Sequence, residues 1–188
     1  GRRPCRTNRG RAGEVRHRDS LGNDVVIRAG ELGLMTSGEG IVHAEYSPVP
    51  HADDLHGAQL WVALPQSAAR LAPSWEHHTF LPTLSNDSVT ITVFLGFLTE
   101  VVSPGTAHSD LLGASVQIRR GGTDCIALEP DFEYAALVLS GSVTIEGAPL
   151  AVGTMLYLGC GRAALGLASA TGAEVLVLGG VRPVRPWV

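Results

Sequence analysis

The chain describes one supersecondary unit twice, and that repetition restricts it to a small set of folds. Gly13-Glu14-Val15 opens a strand that turns at Leu21-Gly22-Asn23-Asp24 and returns along Ile27-Arg28. Ala29-Gly30-Glu31 turns the chain again, residues 32–35 form a short apolar strand, and Gly38-Glu39-Gly40 precedes a strand over 41–46. Later, Gly141-Ser142-Val143 leads through a shorter hairpin to Leu150-Ala151-Val152-Gly153-Thr154-Met155, then Tyr157-Leu158 and Gly159-Cys160-Gly161. Both copies read strand, hairpin, strand, glycine turn, apolar strand, G-x-G turn, strand. Short β-branched runs cut by Gly, Asn, Asp and Pro are strand and turn signals. No segment carries a long 3.6-residue period. The pattern predicts an all-β chain of two jelly-roll barrels.

Composition narrows the class further. With 45% hydrophobic and 17% charged residues, the chain can bury a core and is not disordered. A net charge of −4 gives no nucleic-acid footprint over the whole molecule. Cys5, Cys125 and Cys160 are odd in number and lack CxxC spacing, which argues against a disulfide framework and a zinc knuckle. No run approaches the roughly 20 apolar residues that span a bilayer, and no signal-peptide core is present, so the expectation is a cytoplasmic protein without a membrane partner.

All 14 basic residues are arginine, and five fall within the opening GRRPCRTNRGR. That segment has no β pattern and is expected to be a solvated tail over residues 1–12. The remaining divisions are an incomplete N-terminal barrel over 13–65, a linker with crossing strands over 66–100, a C-terminal barrel over 101–180, and a tail over 181–188.

The two copies diverge where chemistry would sit. His43 and Glu45 lie two apart on a strand, so their side chains share a face. An imidazole and a carboxylate converging inside a barrel suit iron, nickel, copper, manganese or zinc. Aligned on the glycines, the second copy places Gly166 and Ala168 at these positions, so its interior is expected to be apolar and without metal. His56 opens the strand HGAQLWV and is expected to be structural. His51, His77 and His78 sit in loop or linker text and are not assigned to metal, and His17 is expected to be solvated or at a contact between domains.

The segments HRDSLGND, VIRAGELGLMTSGEGIVHAE and LHGAQLWVALP resemble consecutive motifs of the pirin family, and ALVLSGSVTIEG and EVLVLGG resemble its C-terminal half. The resemblance runs in order from about Gly13 to about Gly180. It implies a bicupin, two stacked double-stranded β-helix barrels, with one divalent metal, usually iron, held in the N-terminal cupin by three histidines and a glutamate. His43 and Glu45 fall on the last two of those ligands. It further implies quercetin 2,3-dioxygenase chemistry, opening a flavonol with dioxygen. In that role Glu45 is both ligand and catalytic base, within an apolar lining from Leu34, Ile41 and Trp61. Pirins are also proposed to be metal-dependent co-regulators.

The family's other two ligands form an H-P-H motif upstream of the glycine matching Gly13. Residues 1–12 contain no histidine. Both ends change to Arg- and Pro-rich text, read here as out-of-frame translation of GC-rich DNA. The N-terminal barrel is therefore expected to lack its opening strands, to expose an unpaired edge, and to have impaired activity. The alternatives are a metal-sensing regulatory module, its protein partner unspecified, and a degenerate scaffold.

Overall fold

A computed structural model describes residues 4–182, with residues 4–12 as backbone alone. Every regular element is a strand. The chain divides after Leu81 into two units.

The first unit holds β1 (Pro4–Ala12), β2 (Glu14–Asp19), β3 (Asp24–Arg28), β4 (Leu32–Thr36), β5 (His43–Tyr46), β6 (His56–Ala63) and β7 (Ser74–His78). They form two sheets, ordered β6-β1-β4-β7 and β3-β2-β5. The core includes Ile27, Leu32, Leu34, Met35 and Leu64, all at most 3% exposed.

The second unit holds β8 (Thr83–Ser85), β9 (Val89–Leu98), β10 (Val101–Val102), β11 (Leu111–Ile118) and β12 (Gly122–Ala127). It continues with β13 (Phe132–Ile145), β14 (Ala148–Ala151), β15 (Met155–Gly159), β16 (Ala164–Ser169) and β17 (Ala173–Val181). One sheet runs β10-β9-β11-β17-β13-β16-β12, with β14 and β15 on β13 and β8 on β9. Val93, Val116, Ile145, Leu165 and Val175 are fully buried at its centre. Each such side chain contributes on the order of 1.5–3 kcal/mol by leaving water.

The repeat is visible in the hydrogen-bond ladders. In β13, the first half pairs with β15 and β17 and the second half with β14 and β16. In the first unit, β1 pairs with β4 and β6, and β2 with β3 and β5. The path β1-Gly13-β2 thus corresponds to the single strand β13, with Gly13 on Gly141. Both glycines have positive φ, 78° and 72°. Both ladders also slip at the same place, between Gly10 and Ala12 against β6 and between Val138 and Ser140 against β17.

This correspondence corrects the reading of residues 1–12 as a tail. Residues 4–12 are a strand flanked on both sides, so no unpaired edge lies there. The ladder needs only backbone N–H and C=O groups, and pairing on two sides overrides the weak β propensity of Arg, Asn and Gly. The stretch 66–100, expected as a linker with crossing strands, holds three strands divided between the units: β7 joins the first unit's sheet, and β8 and β9 belong to the second unit. Of the expected C-terminal tail, Val181 ends β17, and residues 183–188 lie outside those described.

The first unit is incomplete in a different sense from the one expected. In the second unit β17 is covered by β11 and β16 by β12. Among the described residues, β6 and β5 have no such outer neighbours.

Candidate functional site

β2 sits between β3 and β5, and its side chains alternate. Arg16 and Arg18 point outward toward Asp24, with Arg16 bound bidentately at 2.6 and 2.7 Å. His17 points the other way and is fully buried, which corrects its expected place in solvent or between domains. The outward Arg-x-Arg alternation was the available signal that the intervening histidine faces in.

His17 organises the local polar cluster. Its ring stacks on Trp75 of β7 at 3.6 Å and 3°, and its Nε2 lies 3.1 Å from Asp19 Oδ2. An ionised carboxylate only accepts, so Nε2 carries the hydrogen. Asp19 also accepts bonds from the Asn23 side chain and from the backbone N–H groups of Leu21 and Asn23, which pins the β2–β3 turn. His17 Nδ1 is buried without a hydrogen-bond partner and lies 3.5 Å from Glu45 Oε1.

His43 and Glu45 share the half-buried face of β5, while Ala44 and Tyr46 face solvent. Gln59 of β6 donates to Glu45 Oε2 at 3.0 Å. In the ladders, His17 faces Glu45 across β2–β5, and Ile145 faces Leu167 across β13–β16. Since His17 corresponds to Ile145, Glu45 corresponds to Leu167 and His43 to Leu165. Gly166 and Ala168, the expected equivalents, are one residue out and lie on the other face. The linker between G-x-G turn and strand differs by one residue between copies, and a slip of one exchanges the two faces. The apolar interior expected of the second barrel is present at Ile145, Leu165 and Leu167.

The remaining candidates are placed elsewhere. His51 is exposed, with Nδ1 2.8 Å from the Ala52 carbonyl oxygen, and His56 is exposed at the start of β6. His77 bonds Glu31 at 2.8 Å, and His78 bonds Glu76 at 2.9 Å. Leu34 is buried and Ile41 half-buried, but Trp61 is 64% exposed; the indole beside His17 is Trp75, which the sequence reading passed over.

His43 and Glu45 fit a first-row divalent ion in kind but not in number, since such sites hold at least three protein ligands. Among the described residues no group of three His, Cys, Asp or Glu is arranged to hold a metal. Residues 1–12 add no His, Asp or Glu. His17 does not supply the third donor. Its ring lies 19° from parallel to that of His43 at 5.8 Å, so their in-plane lone pairs do not converge.

Asp19 gives the cluster a pH signature. Burial pushes its carboxyl up, but the bonds from Asn23, His17 and Leu21 outweigh it and hold the group below the usual carboxylate value. The folded protein then binds that proton less tightly than the unfolded chain. The stabilisation is complete above the unfolded value of about 4 and is lost as pH falls through the lower folded one. Urea midpoints should drop across that acid range in the wild type. In Asp19→Asn the midpoint should be lower at neutral pH and flatter in acid. An unchanged acid slope would assign the loss to other carboxylates.

Comparison with known proteins decides the lineage. The Pirin family model matches residues 11–62, which hold His17, His43 and Glu45. A Pseudomonas aeruginosa protein named "Putative quercetin 2,3-dioxygenase PA1205" is 44% identical over 168 residues, 89% of this chain and 53% of its own length. The chain belongs to the pirin family. A pirin-like protein of Caulobacter vibrioides is 31% identical, covering 93% of this chain and 61% of its own length. The crystal structure of a quercetin 2,3-dioxygenase from Acinetobacter baumannii superposes on all of this pirin chain with a TM-score of 0.92 at 32% identity, over 63% of its own chain. The Escherichia coli pirin YhhW, in complex with nickel(II), superposes at 0.76 with 21% identity and supports the fold alone. The all-β cupin architecture is thus common to this pirin and its relatives, of which it spans about half to three fifths in length.

Proposed function

We propose that this chain is a pirin-type, metal-dependent dioxygenase of the quercetin 2,3-dioxygenase class, acting on a flavonol with dioxygen, and that its activity is impaired. The supporting observation is the His43–Glu45 pair on the half-buried face of β5, where the second unit keeps Leu165 and Leu167. A polar pair retained where the repeat permits leucine is characteristic of a site rather than of a scaffold. The ion of this class is divalent, iron by family resemblance, and His/carboxylate donors also suit nickel, copper, manganese or zinc. Glu45 is the carboxylate of that face and takes the proton of the flavonol 3-hydroxyl, the task of a general base.

The donor count favours one other reading, a scaffold that has lost turnover. Quercetin consumption under air separates the two. The purified chain should turn over at background. Added iron(II) or nickel(II) with free imidazole, which supplies the missing nitrogen donors, should restore measurable turnover, and Glu45→Gln should abolish it. No recovery at saturating metal and imidazole favours the inactive scaffold. Recovery that survives Glu45→Gln removes Glu45 from the role of base.

A further inference from the structure

We propose that the second unit carries a binding site of its own, a cavity of about 270 Å³ between β9 and β12 that takes a small aromatic molecule with an N–H or O–H donor and no negative charge. The floor of the cavity is Val89, Ile91, Leu98 and Ile126, each at most 6% exposed. They come from two strands that are not ladder partners: β9 pairs with β8, β10 and β11, and β12 pairs with β16. Asn86, in the turn after β8, reaches across and donates to Asp124 Oδ2 of β12 at 2.9 Å. A concave, mostly apolar space with a few fixed polar groups is what a small-molecule site requires, and this volume suits a body of one or two rings. The site lies wholly within the second unit, so it stands or falls independently of the His43–Glu45 reading.

The wall decides the chemistry of the ligand. Asp124 and Cys125 are the ionisable residues among those described as lining the cavity, and no Lys, Arg or His is with them. An anion therefore meets no opposite charge there, and it meets one like charge. The backbone adds an acceptor. Cys125 N–H bonds Asp124 Oδ1 at 2.7 Å rather than a carbonyl of β16. In an antiparallel strand the N–H and C=O of one residue point to the same side, so the Cys125 carbonyl oxygen also turns away from β16. A carboxylate and a carbonyl oxygen beside an apolar floor call for a ligand that donates.

Thr99 supports the same assignment. It lines the cavity and holds φ 51° in the two-residue turn between β9 and β10. Gly or Asn fills such a turn at less cost, and a β-branched residue in this conformation is an outlier of the kind that collects at binding sites.

Nuclear magnetic resonance on the methyl-labelled chain, titrated with indole, tests the site. Indole should give nuclear Overhauser contacts to the methyls of Leu98 and Ile126, and none to Ile145, which is buried off the cavity wall. 1-Methylindole has the same body without the donor, so it should bind about tenfold more weakly. Indole-3-acetate should bind more weakly still, beside Asp124. Leu84→Trp, at a wall position 36% exposed, should fill the cavity and raise the indole dissociation constant about tenfold with an unchanged urea midpoint. No saturable binding of indole overturns the proposal, as do contacts confined to other methyls. Equal affinity for indole-3-acetate or 1-methylindole overturns the assigned ligand class, whatever Leu84→Trp does to folding.

Discussion

Leu167→Glu should unfold the second unit, with a loss of at least ~4 kcal/mol in chemical denaturation. Leu167 is 3% exposed, packed in the cluster with Ile145 and Leu165. Truncating the apolar contacts opens a cavity, and the carboxyl that replaces them has no donor there. The first unit tolerates Glu45 at the corresponding place because Gln59 donates to it and its side chain keeps 20% exposure. Ala168→Glu, on the half-buried opposite face, should cost under ~1.5 kcal/mol. If Ala168→Glu proves the more damaging, the register relating the two units is one residue out, and the assignment of Leu165 and Leu167 falls with it.

Gly13→Ala and Gly141→Ala should each destabilise their own unit by ~2–4 kcal/mol. Both residues sit at positive φ in mid-path of the long strand, where an L side chain is strained. A Cβ at Gly13 would meet the Asp54 carbonyl oxygen at 2.7 Å, and one at Gly141 would meet the Gly172 carbonyl oxygen. In each case the obstacle is the loop entering the last long strand of the repeat, β6 or β17, so the two substitutions report one structural constraint. A loss at one position and none at the other would show that the repeat is not equivalent there. Hydrogen exchange resolved by segment distinguishes the units, which divide after Leu81.

The glycine pattern made the repeat legible because each turn needs a backbone conformation that few other residues adopt. It carried less information about what lies between the turns. β1 escaped reading because RTNRGR offers no side-chain alternation, while its place is set by ladders to residues 33–36 and 56–63, far along the chain. The same loss of long-range information put the second copy's register one residue out, which exchanged Leu165 and Leu167 for their outward neighbours. His43 and Glu45 were legible as a pair because i, i+2 spacing on a strand is a local property. His17 was not, since its burial depends on Trp75 arriving from β7, a strand far along the chain within the stretch expected to be a linker.

Elemental analysis of the purified chain, dialysed after saturation with iron(II) or nickel(II), tests the donor count directly. His43 and Glu45 alone should retain a small fraction of one ion per chain, and Glu45→Gln should change that little. One ion per chain surviving dialysis, lost in His43→Ala, would contradict a two-donor site and require a third ligand from residues placed elsewhere here.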